Sequence, residues 1–145
     1  MKVVIQRVLE AEVKIDGETS GKIGQGLLLY VCLESDDTIE SVEMASDKIF
    51  KLRIFEDEKG KMNKSIQDAQ GSILSISQFT LSWDGKKGHR PSFDRSMAPS
   101  KAKDFYEKFN QSLVEKGVSV EAGRFGADMK VSSINDGPVT FHLNF

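Results

Sequence analysis

Two kinds of apolar spacing alternate along the chain. Residues 2–8 (KVVIQRV) and 11–16 (AEVKID) are short, β-branched runs that predict two strands with a bend near Leu9 and Glu10. Residues 18–24 (ETSGKIG) predict a brief strand closing in a turn. Residues 25–34 (QGLLLYVCLE) are almost continuously apolar, the pattern of a strand covered on both faces. The period then changes. Ile39, Val42, Ala45, Ile49 and Leu52 fall on one face of a helix, and Ser35 to Asp37 offer capping oxygens before it. Residues 53–63 predict an extended piece with a turn at Gly60, and residues 71–81 a strongly apolar strand.

Residues 82–97 carry Gly85, Gly88 and Pro91 and predict an exposed loop. A second helix is predicted to start at Pro99. Ala102, Phe105, Tyr106, Phe109 and Leu113 then repeat at spacings of three and four, and Gly117 suits the helix end. Residues 118–123, 129–134 and 139–145 predict three more short strands, the last two joined by a turn at Asn135, Asp136 and Gly137. Pro138 opens the final strand, a position where proline's missing N–H costs no ladder bond. Strands outnumber helices, and the helices are inserted among them. The pattern predicts an α+β fold: a bent, largely antiparallel, two-layer, barrel-like β-sheet with two helices packed on it.

With 145 residues, 39% of them hydrophobic and 29% charged, the chain predicts a single globular domain spanning 1–145. The N-terminal segment has no apolar signal region, and no apolar run approaches the roughly 18 residues of a membrane span. One cysteine, Cys32, excludes an internal disulfide, and a cytoplasmic location is expected. Cys32 sits in an apolar run without a basic neighbour, so it reads as a buried small hydrophobe. The formal net charge is −2, yet six Lys or Arg against Asp94 give residues 86–103 a charge of +5, leaving −7 elsewhere. Such a patch suits phosphate binding on an otherwise repulsive body, or is simply a solvated loop and helix start.

Side-chain chemistry is sparse. One Cys and two His, His89 and His142, do not make a metal site, and no metal or cofactor is expected. GKIGQG, residues 21–26, lacks the ending of a phosphate loop, and there is no nucleophile elbow. His89 reads better as a phosphate or adenine contact than as a general base. An enzyme built this way would rely on backbone donors, hydroxyls and groups brought by the substrate. Ser77, Gln78, Phe79 and Thr80 are the best-placed candidates, because they end an apolar strand where the exposed loop begins.

SQFTL at 77–81, KKGHRPSF at 86–93, GRFGADMKV at 123–131 and NDGPVTF at 135–141 together resemble the D-aminoacyl-tRNA deacylase family, also called D-tyrosyl-tRNA deacylase. IQRV at 5–8 and RIFEDEKGKMN at 53–63 add to a collinear likeness that runs the whole chain. The resemblance implies an enzyme that hydrolyses the ester of D-aminoacyl-tRNA, and of mischarged glycyl-tRNA, as a cytoplasmic homodimer. It implies that Gly137 and Pro138, as a Gly-cis-Pro pair oriented by Arg7, enter the partner subunit's pocket and exclude L-amino acids. It implies that Ser77, Gln78, Phe79 and Thr80 form the reaction site. Phe125 and Met129 would cradle the terminal adenosine, although their spacing alone suits core residues. Lys86, Lys87, His89 and Arg90 would meet the acceptor stem. Two routes to the reaction stay open: the ribose 2′-hydroxyl activates water, or Thr80 acts as nucleophile. A non-catalytic tRNA-binding module would use the same aromatic and basic features. One departure stands out. After SQFTL the family usually shows a small residue and then Ala-Asp, whereas this chain reads Ser82-Trp83-Asp84-Gly85, placing its only tryptophan where it would narrow the pocket entrance or stack on RNA.

Overall fold

The computed structural model describes residues 1–86 and 88–145. In chain order the elements are β1 (Lys2–Ile15), β2 (Glu18–Ile23), β3 (Gly26–Cys32), α1 (Ile39–Lys51), β4 (Phe55–Glu56), β5 (Met62–Lys64) and β6 (Ser72–Ser77). A 3₁₀ turn (Phe79–Ser82), α2 (Pro99–Glu115), β7 (Ser119–Ala122) and β8 (Lys130–Asn144) follow. The main sheet runs β2-β1-β3-β6-β7, with β8 also paired to β1, and β4 and β5 form a separate small hairpin. The α+β architecture with two helices is as expected. The sheet is mixed, however: β1 pairs antiparallel with β2, β3 and β8, whereas β3–β6 and β6–β7 are parallel. The parallel pairings follow from connectivity. α1 lies between β3 and β6, and α2 between β6 and β7, so each helix returns the chain to the same end of the sheet.

β3 sorts its side chains between two cores. Leu27, Leu29 and Val31 join Val3, Ile5 and Ile73 under the helices, against Ile49, Phe105 and Phe109. Leu28 turns the other way and joins Val8, Val13, Ile23, Leu74 and Ile76 inside the curl of the sheet. Each such apolar side chain contributes about 1.5–3 kcal/mol when fully buried, which is why the strand is apolar throughout. The curl nearly closes into a barrel, because β2 approaches β6 and β7 at Gly21. A Cβ on Gly21 would lie 3.1 Å from Leu74 Cδ1 and 3.3 Å from Glu121 Cβ.

Three local expectations are corrected. β1 is one strand rather than two: its register against β8 shifts between Val8 and Glu10, so the bend is a bulge inside a continuous strand. β8 likewise runs unbroken through the segment expected to be a turn between two strands. The residue capping α1 is Thr38, whose N–H donates to Ser41 Oγ at 3.4 Å, not one of Ser35 to Asp37. Asp37 is instead buried, where it holds the Met1 ammonium and accepts the Glu34 N–H at 2.6 Å. α2 starts at Pro99 and buries the five residues expected of it.

Candidate active site

β6 delivers Ser77 to the sheet end, and the chain then tightens. The Gln78 N–H donates to Val31 O at 2.7 Å, a last link to β3. A 3₁₀ turn follows, with Leu81 N–H donating to Gln78 O at 3.3 Å and Trp83 N–H to Thr80 O at 3.2 Å. Since Leu81 supplies the first bonded N–H of that turn, the N–H groups of Phe79 and Thr80 lie ahead of the turn's own ladder. The Phe79 carbonyl accepts Ser96 Oγ at 3.3 Å, and Ser96 Oγ also lies 2.8 Å from Ser82 Oγ. These bonds fasten the 3₁₀ turn to the loop before α2. The Thr80 hydroxyl oxygen accepts Gln78 Nε2 at 2.6 Å and is exposed.

A cleft of about 640 Å³ opens beside this turn. Ser77, Gln78 and Phe79 form one wall and Phe125 and Met129 another. Phe79 packs edge-on against Phe93, with ring centroids 4.9 Å apart and planes at 76°. Phe125 lies 6.0 Å from the Tyr106 ring, and both face the cleft. Tyr106 is held by its hydroxyl, which donates to Ser75 O at 2.8 Å. Burial pushes the Tyr106 phenol above its ordinary pKa, so this donor stays protonated. The chemistry on offer is a mainly apolar slot with aromatic faces and a few polar groups at one end, suited to a flat heterocycle carrying a polar appendage.

The structure therefore brings Ser77, Gln78, Phe79, Phe125 and Met129 together. Thr80, Arg7, Gly137, Pro138, Lys86, His89 and Arg90 do not line the cleft, and Lys87 lies outside the described residues. Lys86, His89 and Arg90 are exposed on the loop whose far end is pinned near the cleft by Met97 N–H donating to Leu33 O at 3.0 Å. Trp83 is exposed and does not line the cleft. The sequence missed Phe93 and Tyr106 as lining residues. Phe93 closes the KKGHRPSF motif, which was a usable signal. Tyr106 carried none, because its spacing marks it equally well as core.

Gly137 and Pro138 form an exposed corner joined by a cis peptide bond. In the β1–β8 register Gln6 faces Thr140 and Val8 faces Asn135, so Arg7 alone stands opposite residues 136–139. The surplus residues bulge out of the ladder. Arg7 is buried beneath them: Nε donates to Asp136 O at 3.3 Å and lies 3.0 Å from Asp136 Oδ2, and Nη1 donates to Ile54 O at 2.8 Å. Nη2 lies 3.5 Å from Glu56 Oε1. Gly137 has φ +125°, and a Cβ there would come 2.7 Å from Val139 Cγ2 and 3.2 Å from Arg7 Nη2.

Cys32 lies behind Phe79, its Sγ 3.6 Å from the Phe79 carbonyl. Burial, with Glu34 nearby, pushes the thiol up to about 11. It is a packing residue, not a nucleophile. Among the described residues no group of three or more His, Cys, Asp or Glu is arranged to hold a metal, and no helix is long and apolar enough to cross a membrane.

The family model for D-Tyr-tRNA(Tyr) deacylase matches residues 4–144. A D-aminoacyl-tRNA deacylase of Lactobacillus delbrueckii subsp. bulgaricus is 58% identical over 144 residues, covering 99% of each chain. One from Exiguobacterium sibiricum is 52% identical over 143 residues, again covering 99% of each. A solved structure described as the c-Myc DNA Unwinding Element Binding Protein superposes with a TM-score of 0.94 at 41% identity, over 100% of this chain and 99% of that one. A probable eukaryotic D-amino acid tRNA deacylase shares the fold, with a TM-score of 0.85 at 18% identity over 98% and 97% of the two chains. By a match that spans both the cleft and the corner, this chain belongs to the D-Tyr-tRNA(Tyr) deacylase family.

Proposed function

We propose that the chain hydrolyses the ester between a D-amino acid, or a mischarged glycine, and the 3′-terminal adenosine of tRNA, releasing free tRNA and the amino acid. The observation that carries this reading is the cleft, which Ser77, Gln78 and Phe79 line together with Phe125 and Met129 in a member of this family. Adenine stacks against Phe125 beside the Met129 thioether, which sets the ribose and its ester toward residues 77–80. Lys86, Lys87, His89 and Arg90 meet acceptor-stem phosphates, so KM for tRNA rises with salt. The protein acts in the cytoplasm as a homodimer.

Water adds to the ester carbonyl, and the N–H groups of Phe79 and Thr80 stabilise the oxyanion that forms, a role in which loss of one donor costs about 2.7–4 kcal/mol. Collapse breaks the C–O bond and returns the electron pair to the ribose 3′-oxygen. The 2′-hydroxyl beside the ester takes part in activating the water. Thr80 is a poor nucleophile by comparison: among the described residues no imidazole or carboxylate hydrogen-bonds its hydroxyl, whose partner is the Gln78 amide. Selection against L-amino acids is assigned to Gly137 and Pro138, oriented by Arg7 and entering the partner's cleft. An L side chain meets their backbone, and a D side chain points to solvent. The corner's exposure, and its position outside the cleft of its own chain, support this reading.

The test is paired: the same tRNA charged with D- or L-tyrosine, incubated with catalytic protein. Rapid loss of the D ester with the L ester spared is expected. Loss of both removes the chirality filter. Binding of tRNA with loss of neither favours a non-catalytic nucleic-acid-binding module, a reading to which the name of the 41%-identical solved relative also points. Charging a tRNA that ends in 2′-deoxyadenosine tests the assisted route, for which hydrolysis should fall steeply.

A further inference from the structure

The bulge opposite Arg7 leaves the chain from Asp136 to Val139 without ladder partners, yet Val139 is only 7% exposed. Its N–H needs an acceptor that the sheet does not supply. Asn135 supplies it. Asn135 Oδ1 accepts the Val139 N–H at 2.9 Å, while Asn135 Nδ2 donates to Thr140 Oγ1 at 2.9 Å. That hydroxyl oxygen is tied to β1 as well, accepting Gln6 Nε2 at 3.3 Å. One carboxamide thus spans the whole corner from its first residue to its far side. It accepts at one atom and donates from another, whereas a hydrocarbon side chain does neither and a hydroxyl does both from a single oxygen.

We propose that Asn135 is a positioning residue for substrate selection: its carboxamide braces the Asp136–Val139 bulge and so sets the direction in which the Gly137–Pro138 corner projects. The inference rests on the reading that this corner excludes L-amino acids. Arg7 holds the corner from beneath, through Asp136 O, and Asn135 ties its two ends together. With the brace gone, the Val139 N–H turns to water and the corner swings on the Arg7 contact. Misplacement on the order of 1 Å costs a selecting group about 100-fold.

The experiment compares D- and L-tyrosyl-tRNA hydrolysis by the unaltered protein and by Asn135→Ala, Asn135→Asp and Thr140→Val, with KM for tRNA and Tm measured alongside. Asn135→Ala is expected to raise the L-to-D rate ratio at least about tenfold with KM for tRNA unchanged. Asn135→Asp keeps an oxygen for the Val139 N–H, and the Thr140 hydroxyl can rotate to donate to it, so its ratio should stay within about threefold of the unaltered protein. Thr140→Val, which removes only the far tie, should give a smaller rise and serves if Asn135→Ala does not fold. Discrimination by the unaltered protein with the same ratio in Asn135→Ala, or in Thr140→Val when that variant stands in, overturns the brace alone. Equal hydrolysis of both esters by the unaltered protein overturns the brace together with the functional reading.

Discussion

In the cleft, position is fixed by packing. Phe125 leans on Tyr106, Phe79 on Phe93, and Tyr106 is tied to Ser75 O beneath them. The Gly137–Pro138 corner is exposed instead, and its position is fixed by a short set of hydrogen bonds from Arg7 and Asn135. A packed wall tolerates a range of ligands with a flat face. A hydrogen-bonded projection is stiff in direction and free at its tip, which suits entry into a neighbouring molecule. The proposed function puts affinity in the first region and selectivity in the second, and each proposal can be broken separately.

The largest effect is expected at the corner. Gly137→Ala places a methyl against Val139 and the Arg7 guanidinium in a left-handed conformation that disfavours L side chains, so the corner must move. The L-to-D rate ratio should rise about 100-fold, as misplacement of a positioned group implies. An unchanged ratio breaks the assignment of selectivity. Phe125→Ala should do the reverse: stacking worth about 1–3 kcal/mol predicts a rise in KM for aminoacyl-tRNA of about 5- to 150-fold, with the ratio intact. A change in the ratio instead of KM would merge the two regions.

Arg7→Met should lower both stability and selectivity, since it strips partners from Ile54 O and Asp136. Unmet acceptors of this kind cost about 1–3 kcal/mol, or roughly 2–10 °C in Tm for a chain of this size. A normal melting curve with normal selectivity would show that Arg7 holds nothing. Thr80→Val should leave kcat within about threefold if, as proposed, water rather than this hydroxyl attacks the ester, whereas the loss of a true nucleophile costs many orders of magnitude.

The smallest effect concerns Cys32. With its thiol held up to about 11, alkylation at pH 8 should be far slower than for a free cysteine, and Cys32→Ala should retain activity. The folded pKa lies above the ordinary 9.0, so the proton is bound more tightly in the folded chain. That contribution is complete below pH 9 and is lost as the pH rises through 11. Thermal melts across that window, with and without Cys32, check the sign.

The strands and helices with one clear period were legible from sequence. β3 is legible as doubly covered because both its faces are apolar, and α2 is legible as a helix because one face is. The sequence pattern breaks β1 and β8 in two at Leu9–Glu10 and Asn135–Gly137. There the alternation slips, and a slip looks like a turn until the partner strand is seen to continue. Within the site, the SQFTL and GRFGADM segments pointed to the cleft. Tyr106 did not, since a residue on a helix's buried face looks the same whether it faces core or cleft. Asn135 read as a turn former, and its bonds to Val139 and Thr140 exist only because the ladder opens beside it.

The central claim is that one chain's corner governs another chain's cleft. The most direct measurement mixes Gly137→Ala protein with an excess of a Phe125→Ala, Met129→Ala double variant. After subunits exchange, D- and L-tyrosyl-tRNA hydrolysis are followed at low substrate. The double variant keeps the corner and lacks the proposed adenosine wall, so in the proposed dimer the intact clefts of the Gly137→Ala chains face an unaltered corner. The account predicts that L hydrolysis falls toward zero while D hydrolysis persists. L hydrolysis that continues undiminished in demonstrated mixed dimers would contradict it.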